Sequence, residues 1–94
     1  MERKLIKLLN QYKGKKIGIY ISDCNMQLST NYKTLDFKNY SDEIRINIGK
    51  DIQLTIAFED IRKVETLEEH EDDTDESIFS INLNNGKDIF FHSK

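Results

Sequence analysis

The middle of the chain carries the clearest alternation of apolar and polar positions. Ile44, Ile46 and Ile48 alternate with polar residues, and a second alternating run covers residues 52–58. A period of two gives each run one apolar face, and β-branched and aromatic residues suit such half-buried strands. Gly49 lies between the two runs. The pattern therefore predicts two strands joined by a tight hairpin.

Other segments also have the spacing of regular elements. Apolar residues recur at helical intervals over residues 2–12, and Gly14 follows where a helix-ending glycine is expected. Further strands are predicted at residues 16–22, 26–30, 32–38 and 62–66, with a short turn at Glu59 and Asp60 before the last of them.

The end of the chain predicts a second hairpin. Two apolar runs, residues 78–83 and 87–92, flank Asn85-Gly86. This dipeptide is typical of a type I′ turn, which needs a positive φ at both central residues.

The apolar faces of these elements define the expected core. The residues predicted to be buried are Leu5, Leu9, Ile17, Ile19, Ile44, Ile46, Ile52, Leu54, Ile56 and Phe58. Phe90 and Phe91 are adjacent and face opposite sides of the last strand, so both are not expected to fit one small core. We therefore expect a homodimer or a larger ring.

The length of 94 residues predicts a single domain. Its expected parts are a helix (residues 1–13), barrel strands (15–66), an acidic loop (67–77) and a hairpin (78–92). No apolar run approaches the roughly 20 residues that span a bilayer, and charges interrupt the first residues, where a signal peptide would be apolar. Cys24 is the only cysteine, which suits a reducing cytoplasm.

Charge is segregated along the chain. The net charge is −3, from 14 basic and 17 acidic residues. Residues 65–76 hold eight of the acids and no Lys or Arg, so the remainder of the chain is net positive. The first 16 residues carry six basic side chains against one acid, Glu2. The sequence thus has a basic beginning and an acidic loop near its end.

Three segments carry a resemblance to a known family. Leucines precede a Gly-Lys-Lys-Ile run in residues 8–17, acids precede an apolar alternation in residues 42–46, and a short acidic turn precedes a strand in residues 56–64. These patterns, spread over residues 5–65, resemble Sm-like proteins of the bacterial or phage type. The resemblance implies a mainly β fold with one N-terminal helix, a small SH3-like barrel of five to six antiparallel strands, here followed by a C-terminal hairpin.

Two departures from that family bear on function. Sm-like proteins that bind RNA use an Arg-Gly type turn before the last strand, where this chain has Glu59-Asp60. The glycine of their strongly bent second strand is also missing from residues 32–38. The resemblance therefore implies the fold more strongly than it implies RNA binding.

The sequence offers little catalytic chemistry. Its four glycines are isolated, so no glycine-rich loop can cradle a phosphate. One cysteine and two histidines are a poor basis for a Cys-His nucleophile pair or a structural zinc site. The sequence predicts a protein that is not an enzyme and uses no cofactor or metal.

The favoured function is a protein-binding module, an adaptor or an inhibitor. Carboxylates clustered on a small domain can enter a groove rich in Arg and Lys, and can mimic phosphates where that groove holds nucleic acid. Small acidic proteins of phages and mobile elements, anti-CRISPR inhibitors among them, are similar in size and charge. The expected partner is a protein with a basic surface. Its expected contacts are Glu68, Glu69, Glu71, Asp72, Asp73, Asp75 and Glu76.

Two alternatives remain open, neither of which involves a membrane. One is nucleic-acid binding, with Tyr12, Tyr20 or Tyr32 stacking on bases. Its expected phosphate contacts are Lys4, Lys7, Lys13, Lys15 and Lys16. The other is a structural subunit whose strand edges pair between copies.

Overall fold

The computed structural model describes residues 2–22, 27–66 and 76–93, with only the backbone described at residues 27–29, 76 and 77. The elements are α1 (Glu2–Tyr12), β1 (Lys16–Ser22), β2 (Gln27–Ser29), β3 (Lys33–Asn39), β4 (Glu43–Ile48), β5 (Ile52–Ala57), β6 (Ile61–Thr66), β7 (Glu76–Leu83) and β8 (Asp88–Ser93). A 3₁₀ turn, Phe58–Asp60, joins β5 to β6. The prediction of a mainly β chain with one N-terminal helix is confirmed.

The strands form one antiparallel sheet in the order β5-β4-β3-β1-β8-β7-β6. The remaining strand, β2, pairs with the C-terminal half of β1 at Tyr20, Ile21 and Ser22. β3 pairs with the other half of the same edge, at Lys16 and Ile17. β2 and β3 therefore share one edge of β1, and β3 continues past the start of β1 to pair with β4.

The sheet must curl because its two end strands are consecutive in the chain. β5 and β6 lie at opposite ends of the strand order but are separated only by Phe58–Asp60. A 3₁₀ helix advances by about 2 Å per residue, so this connection brings the facing ends of the two strands within roughly 10 Å. The curl encloses the apolar face of the sheet, and α1 packs against it through Leu5 and Leu9.

The core lies inside this curl. The ring of Phe79 stacks on the ring of Phe91 at 4.3 Å between centroids, and Tyr12 of α1 lies 6.1 Å from Phe79 on the same cluster. The buried apolar residues are Leu5, Leu9, Ile17, Ile19, Leu35, Ile44, Ile46, Ile48, Ile56, Ile61, Val64, Phe79, Ile81, Ile89 and Phe91.

Three residues predicted to be buried are only half-buried. Ile52 and Leu54 pack against the core from β5, and Phe58 does so from the 3₁₀ turn. Since β5 is an end strand, it has a neighbouring strand on one side only, and its side chains stay partly open to water. The alternating pattern identified the correct face but not the position of the strand in the sheet.

The two adjacent phenylalanines of β8 both find contacts within the chain. Phe91 is fully buried on the core face, whereas Phe90 lies on the opposite face, half-buried, with its ring 6.1 Å from that of Tyr20. The prediction that both would not fit one small core is confirmed, but Phe90 has an aromatic neighbour within the chain. The oligomeric state itself stays a prediction.

The β7–β8 hairpin turns at the predicted dipeptide but with a different geometry. Gly86 has φ +91°, whereas no residue other than glycine has a positive φ in the described part of the chain. The backbone N–H of Gly86 donates to the carbonyl of Leu83 at 3.1 Å, and that of Leu83 donates to Lys87 at 2.9 Å. These bonds close a three-residue loop with a left-handed glycine, so the type I′ prediction, which requires two residues, is wrong.

Asn84 in this loop holds the 3₁₀ turn in place. Its side-chain amide Nδ2 donates to the carbonyl of Glu59 at 3.0 Å, and its backbone N–H donates to the carbonyl of Asp60 at 2.9 Å. The connection between the two end strands is thereby bonded to the tip of the last hairpin.

Substituting Asn84 tests this clamp. Asn84→Ala removes one hydrogen bond and should lower the free energy of unfolding by about 1 kcal/mol. Asn84→Asp should cost more, because its carboxylate cannot donate to a carbonyl and lies beside Glu59 and Asp60. Urea denaturation measures both. Unchanged stability in both variants would show that the clamp does not support the curl.

Candidate anion-binding groove

A groove with a volume of about 420 Å³ lies where the starts of β1 and β3 meet the β4–β5 turn. We call it the lysine groove. It is lined by Lys16, Tyr32, Lys33, Thr34, Gly49, Lys50 and Asp51. Three ammonium groups stand against one carboxylate, so the groove is locally positive although the chain carries a net charge of −3.

Backbone pairing fixes the three segments that form the groove. Lys16 and Thr34 lie opposite each other where β1 meets β3. The backbone N–H of Gly49 donates to the carbonyl of Thr34 at 2.9 Å, which attaches the β4–β5 turn to the same point. Gly49 has φ +66°, a left-handed conformation that glycine adopts without steric cost. The lysines are therefore brought together by the sheet and not by a flexible loop.

The side chain of Lys33 lies across Gly49. A Cβ atom at Gly49 would meet Lys33 Cδ at 2.7 Å and Lys33 Cβ at 3.1 Å. This packing directs the Lys33 ammonium toward Asp51, with 3.9 Å between Nζ and Oδ2. The two side chains are 48% and 81% exposed, so the ion pair contributes little to stability and Lys33 can readily exchange it for another anion.

An aromatic surface continues from the groove along β1. A Cβ atom at Gly18 would lie 3.3 Å from the Tyr32 ring, so that ring rests on the backbone of Gly18. Lys16, Gly18 and Tyr20 share one face of the strand by alternation. Tyr20 in turn packs against Phe90. Aromatic rings thus lie directly beside the cationic groove, on the face of the sheet opposite the core.

Only one of the predicted phosphate-binding lysines lines this groove. Lys16 lies at its edge, whereas Lys4 and Lys7 are exposed on α1, a separate element. The other two groove lysines, Lys33 and Lys50, were not singled out from the sequence. The sequence does place Lys50 at the tip of the predicted hairpin and Lys33 near the start of a predicted strand. That the two lie close together, however, depends on how the strands pair.

The other predicted basic residues make contacts within the chain. Lys13 pairs with Asp36 at 3.6 Å and lies 5.8 Å from the ring centroid of Phe37. Lys15 lies 5.5 Å from the ring centroid of Tyr12, which itself packs on the core. These contacts hold the two cations on the surface beside α1 and leave Tyr12 partly covered.

The predicted acidic contacts fall mostly outside the described residues. Glu68, Glu69, Glu71, Asp72, Asp73 and Asp75 all lie in the undescribed range 67–75. The seventh, Glu76, is the first residue of β7, and only its backbone is described. Since Thr66 of β6 is paired with Phe79 of β7, the acidic connection leaves and re-enters the sheet at the same end.

Arg45, which lies outside the groove, is a cation with an acidic and an aromatic partner within the chain. Its Nε donates to Glu43 at 2.9 Å, and its guanidinium carbon lies 4.7 Å from the ring centroid of Tyr40. The hydrogen bond to Glu43, followed by the negative charge of that carboxylate, raises the pKa of Arg45. Arg45 thus has its own carboxylate partner, whereas three lysines of the groove share one carboxylate, Asp51.

Comparisons of the chain with protein-family models, with curated proteins and with solved structures found no match. Across residues 2–22, 27–66 and 76–93, no helix is long and apolar enough to cross a membrane. The same residues include no group of three or more His, Cys, Asp or Glu side chains that could hold a metal ion. The functional assignment therefore rests on the groove itself.

Gly49→Ala tests how the groove is built. Alanine at φ +66° is strained by roughly 1–3 kcal/mol, and its methyl group also meets Lys33. Gly14→Ala is the matched control, because φ is +82° there but nothing lies within 4 Å of the added Cβ. Gly49→Ala should therefore lower the free energy of unfolding more than Gly14→Ala, measured by urea denaturation. Combining it with Lys33→Ala should recover part of the loss. Equal losses at the two glycines would contradict the packing of Lys33 on Gly49.

Proposed function

We propose that the protein is a non-catalytic binding module whose lysine groove binds the phosphate backbone of single-stranded nucleic acid. The observation that carries this proposal is the convergence of Lys16, Lys33 and Lys50 on one groove. Partner binding through the acidic segment, the function that the sequence favours, is the second candidate.

The proposed scaffold is a small SH3-like barrel. Its support is the connection of the two end strands through a three-residue 3₁₀ turn, which curls the sheet toward closure. The resemblance of residues 5–65 to Sm-like proteins is consistent with it. On such a scaffold the groove is preformed, so little conformational entropy is lost when a ligand binds.

A single strand fits the chemistry of this surface better than a duplex. Ammonium groups bind phosphates as point charges, and each neutralised phosphate releases counterions. Unpaired bases can then stack on an aromatic side chain, a contact that is worth roughly 1–3 kcal/mol per base. Tyr32 and Tyr20 lie beside the groove in a position to provide such stacking, whereas the bases of a duplex are already stacked on one another.

Asp51 sets the resting state of the groove. Among the described residues that line the groove it is the one acid, and it pairs with Lys33. A phosphate entering the groove must replace this carboxylate at the ammonium. The expected role of Asp51 is therefore to hold Lys33 in position and to weaken the binding of simple anions.

Replacing the three lysines tests the proposed site. Lys16→Ala, Lys33→Ala and Lys50→Ala, combined, should weaken binding of a labelled single-stranded oligonucleotide, measured by fluorescence anisotropy at 50 and 200 mM salt. The slope of log K against log salt should become shallower by about 2, since each single-strand phosphate contact contributes about 0.7. All three lysines are exposed, so thermal unfolding should change little. Asp51→Asn should strengthen binding.

The matched control removes the same charge elsewhere. Lys4→Ala, Lys7→Ala and Lys38→Ala, combined, alter three exposed lysines outside the groove. Binding by this variant should stay close to that of the wild type. An equal loss in both triple variants would assign binding to net charge alone, and the absence of wild-type binding at 50 mM salt would contradict the proposal.

The second candidate is a protein-binding module, an adaptor or inhibitor that presents its acidic segment to a basic partner. The supporting observation is that β6 and β7, which carry the two ends of residues 67–75, are paired with each other. The sheet thus holds the two strands that flank this acid-rich segment side by side. A partner surface that normally holds nucleic acid would meet these carboxylates in place of phosphates.

Neutralising the acidic segment tests this candidate. Changing Glu69, Glu71, Asp72, Asp73 and Asp75 together to Ser or Asn should leave the Tm the same or raise it, because like charges no longer repel. Association with a basic partner captured from the native host should slow, as surface plasmon resonance would measure. The triple lysine variant of the groove is the control and should associate normally. Unchanged kinetics in the acid-depleted variant would make the segment a simple connection.

A further inference from the structure

The two end strands of the sheet differ in how well their outer edges are protected. β6 carries Arg62, Lys63 and Glu65, and a bulge interrupts its pairing between Ile61 and Lys63. Charged side chains and bulges are the usual means by which an edge strand avoids pairing with another chain. β5, with the sequence IQLTIA, has no charged residue and pairs with β4 in unbroken register. Within the described residues, β5 is therefore the less protected of the two edges.

The hydrogen-bond pattern shows which groups this edge presents. The N–H of Phe58 donates to the carbonyl of Asp42, directly opposite it, at 3.0 Å. Hydrogen-bonded and non-hydrogen-bonded pairs alternate along an antiparallel ladder. The backbone groups of the even-numbered residues of β5 thus point toward β4, and those of Gln53, Thr55 and Ala57 point outward. The edge presents alternating donors and acceptors suited to one more extended strand.

The side chains of β5 match a strand of the same sequence. Ile52 and Leu54 are half-buried on the core face, while Gln53 and Thr55 are exposed on the other face. Two antiparallel copies related by a two-fold axis perpendicular to the sheet keep corresponding faces together. Leucine and isoleucine of one copy then meet those of the other, which removes the remaining apolar area from water.

We propose that two copies of this chain pair through β5, antiparallel about a two-fold axis near Leu54 and Thr55, and form a continuous sheet. The charges beyond the strand favour this direction. Lys50 and Asp51 precede β5, and Glu59 and Asp60 follow it. Antiparallel pairing about Thr55 sets Lys50 of each copy opposite Asp60 of the other and Asp51 opposite Glu59, so that an attractive contact offsets a repulsive one. Parallel pairing would bring only like charges together.

The same contrast between edges favours a closed dimer over a ring. A ring needs a head-to-tail contact, in which β5 of one copy pairs with β6 of the next. The bulge and charges of β6 oppose that contact. A six-residue strand also covers less area than the roughly 800 Å² per partner of a standard interface, so the dimer should be weak and concentration-dependent.

Charge placed at the centre of β5 tests the interface. Thr55→Lys and Thr55→Glu alter an exposed side chain, and circular dichroism checks that both variants stay folded. Sedimentation equilibrium of the wild type over micromolar to millimolar concentrations should fit a monomer–dimer equilibrium. Each variant alone should raise the dimer Kd at least about tenfold, because like charges meet across the axis. An equimolar mixture of the two variants should dimerise at least as well as the wild type.

Each outcome of this experiment is decisive. If only the mixture of the Thr55→Lys and Thr55→Glu variants dimerises, β5 is the interface. A general loss of solubility or stability in either variant would not be repaired by adding the oppositely charged one. A wild type that remains monomeric at millimolar concentration overturns the proposal. So does a dimer that both variants leave unchanged, or a mass above that of a dimer, which would indicate a ring.

Discussion

The connection of three residues between β5 and β6 constrains the rest of the fold. These strands stand at opposite ends of the sheet, so a connection this short can exist only if the sheet curls until its ends approach. The curl encloses the apolar faces of seven strands and gives α1 a surface on which to bury Leu5 and Leu9. Asn84 bonds the connection to the tip of the neighbouring β7–β8 hairpin, next to the pairing of Ile61 with Leu83, so the turn is held in place outside the core.

The proposed binding surfaces are consequences of the same curl. Because β2 and β3 share one edge of β1, the β4–β5 turn is carried to the start of β1, where its lysine joins two others. On the outer face of β1, the Tyr32 ring rests on Gly18 and Tyr20 lies further along the strand, beside the groove. The sheet does not close by hydrogen bonds between β5 and β6 in its strand order, and β5 is left as an edge.

Local elements could be predicted from the sequence, but their arrangement could not. The alternating pattern predicted a strand over residues 52–58, one residue longer than β5. Gly14, predicted to end the helix, follows α1 with a φ of +82°. Whether a strand lies at the end or the middle of a sheet depends on pairing over long distances, which is why Ile52 and Leu54 were expected to be fully buried. Lys33 and Lys50 were missed for a related reason: they meet because β3 pairs with β4, a register that the bond between Gly49 and Thr34 extends.

The central claim is that the lysine groove binds single-stranded nucleic acid, and chemical-shift mapping tests it most directly. Titrating the ¹⁵N-labelled protein with a short single-stranded oligonucleotide should move the backbone amide signals of Lys16, Tyr32, Lys33 and Lys50, with smaller shifts extending along β1 to Tyr20. The affected residues would then form one continuous surface. Shifts confined to α1, or an unchanged spectrum at low salt, would contradict the account.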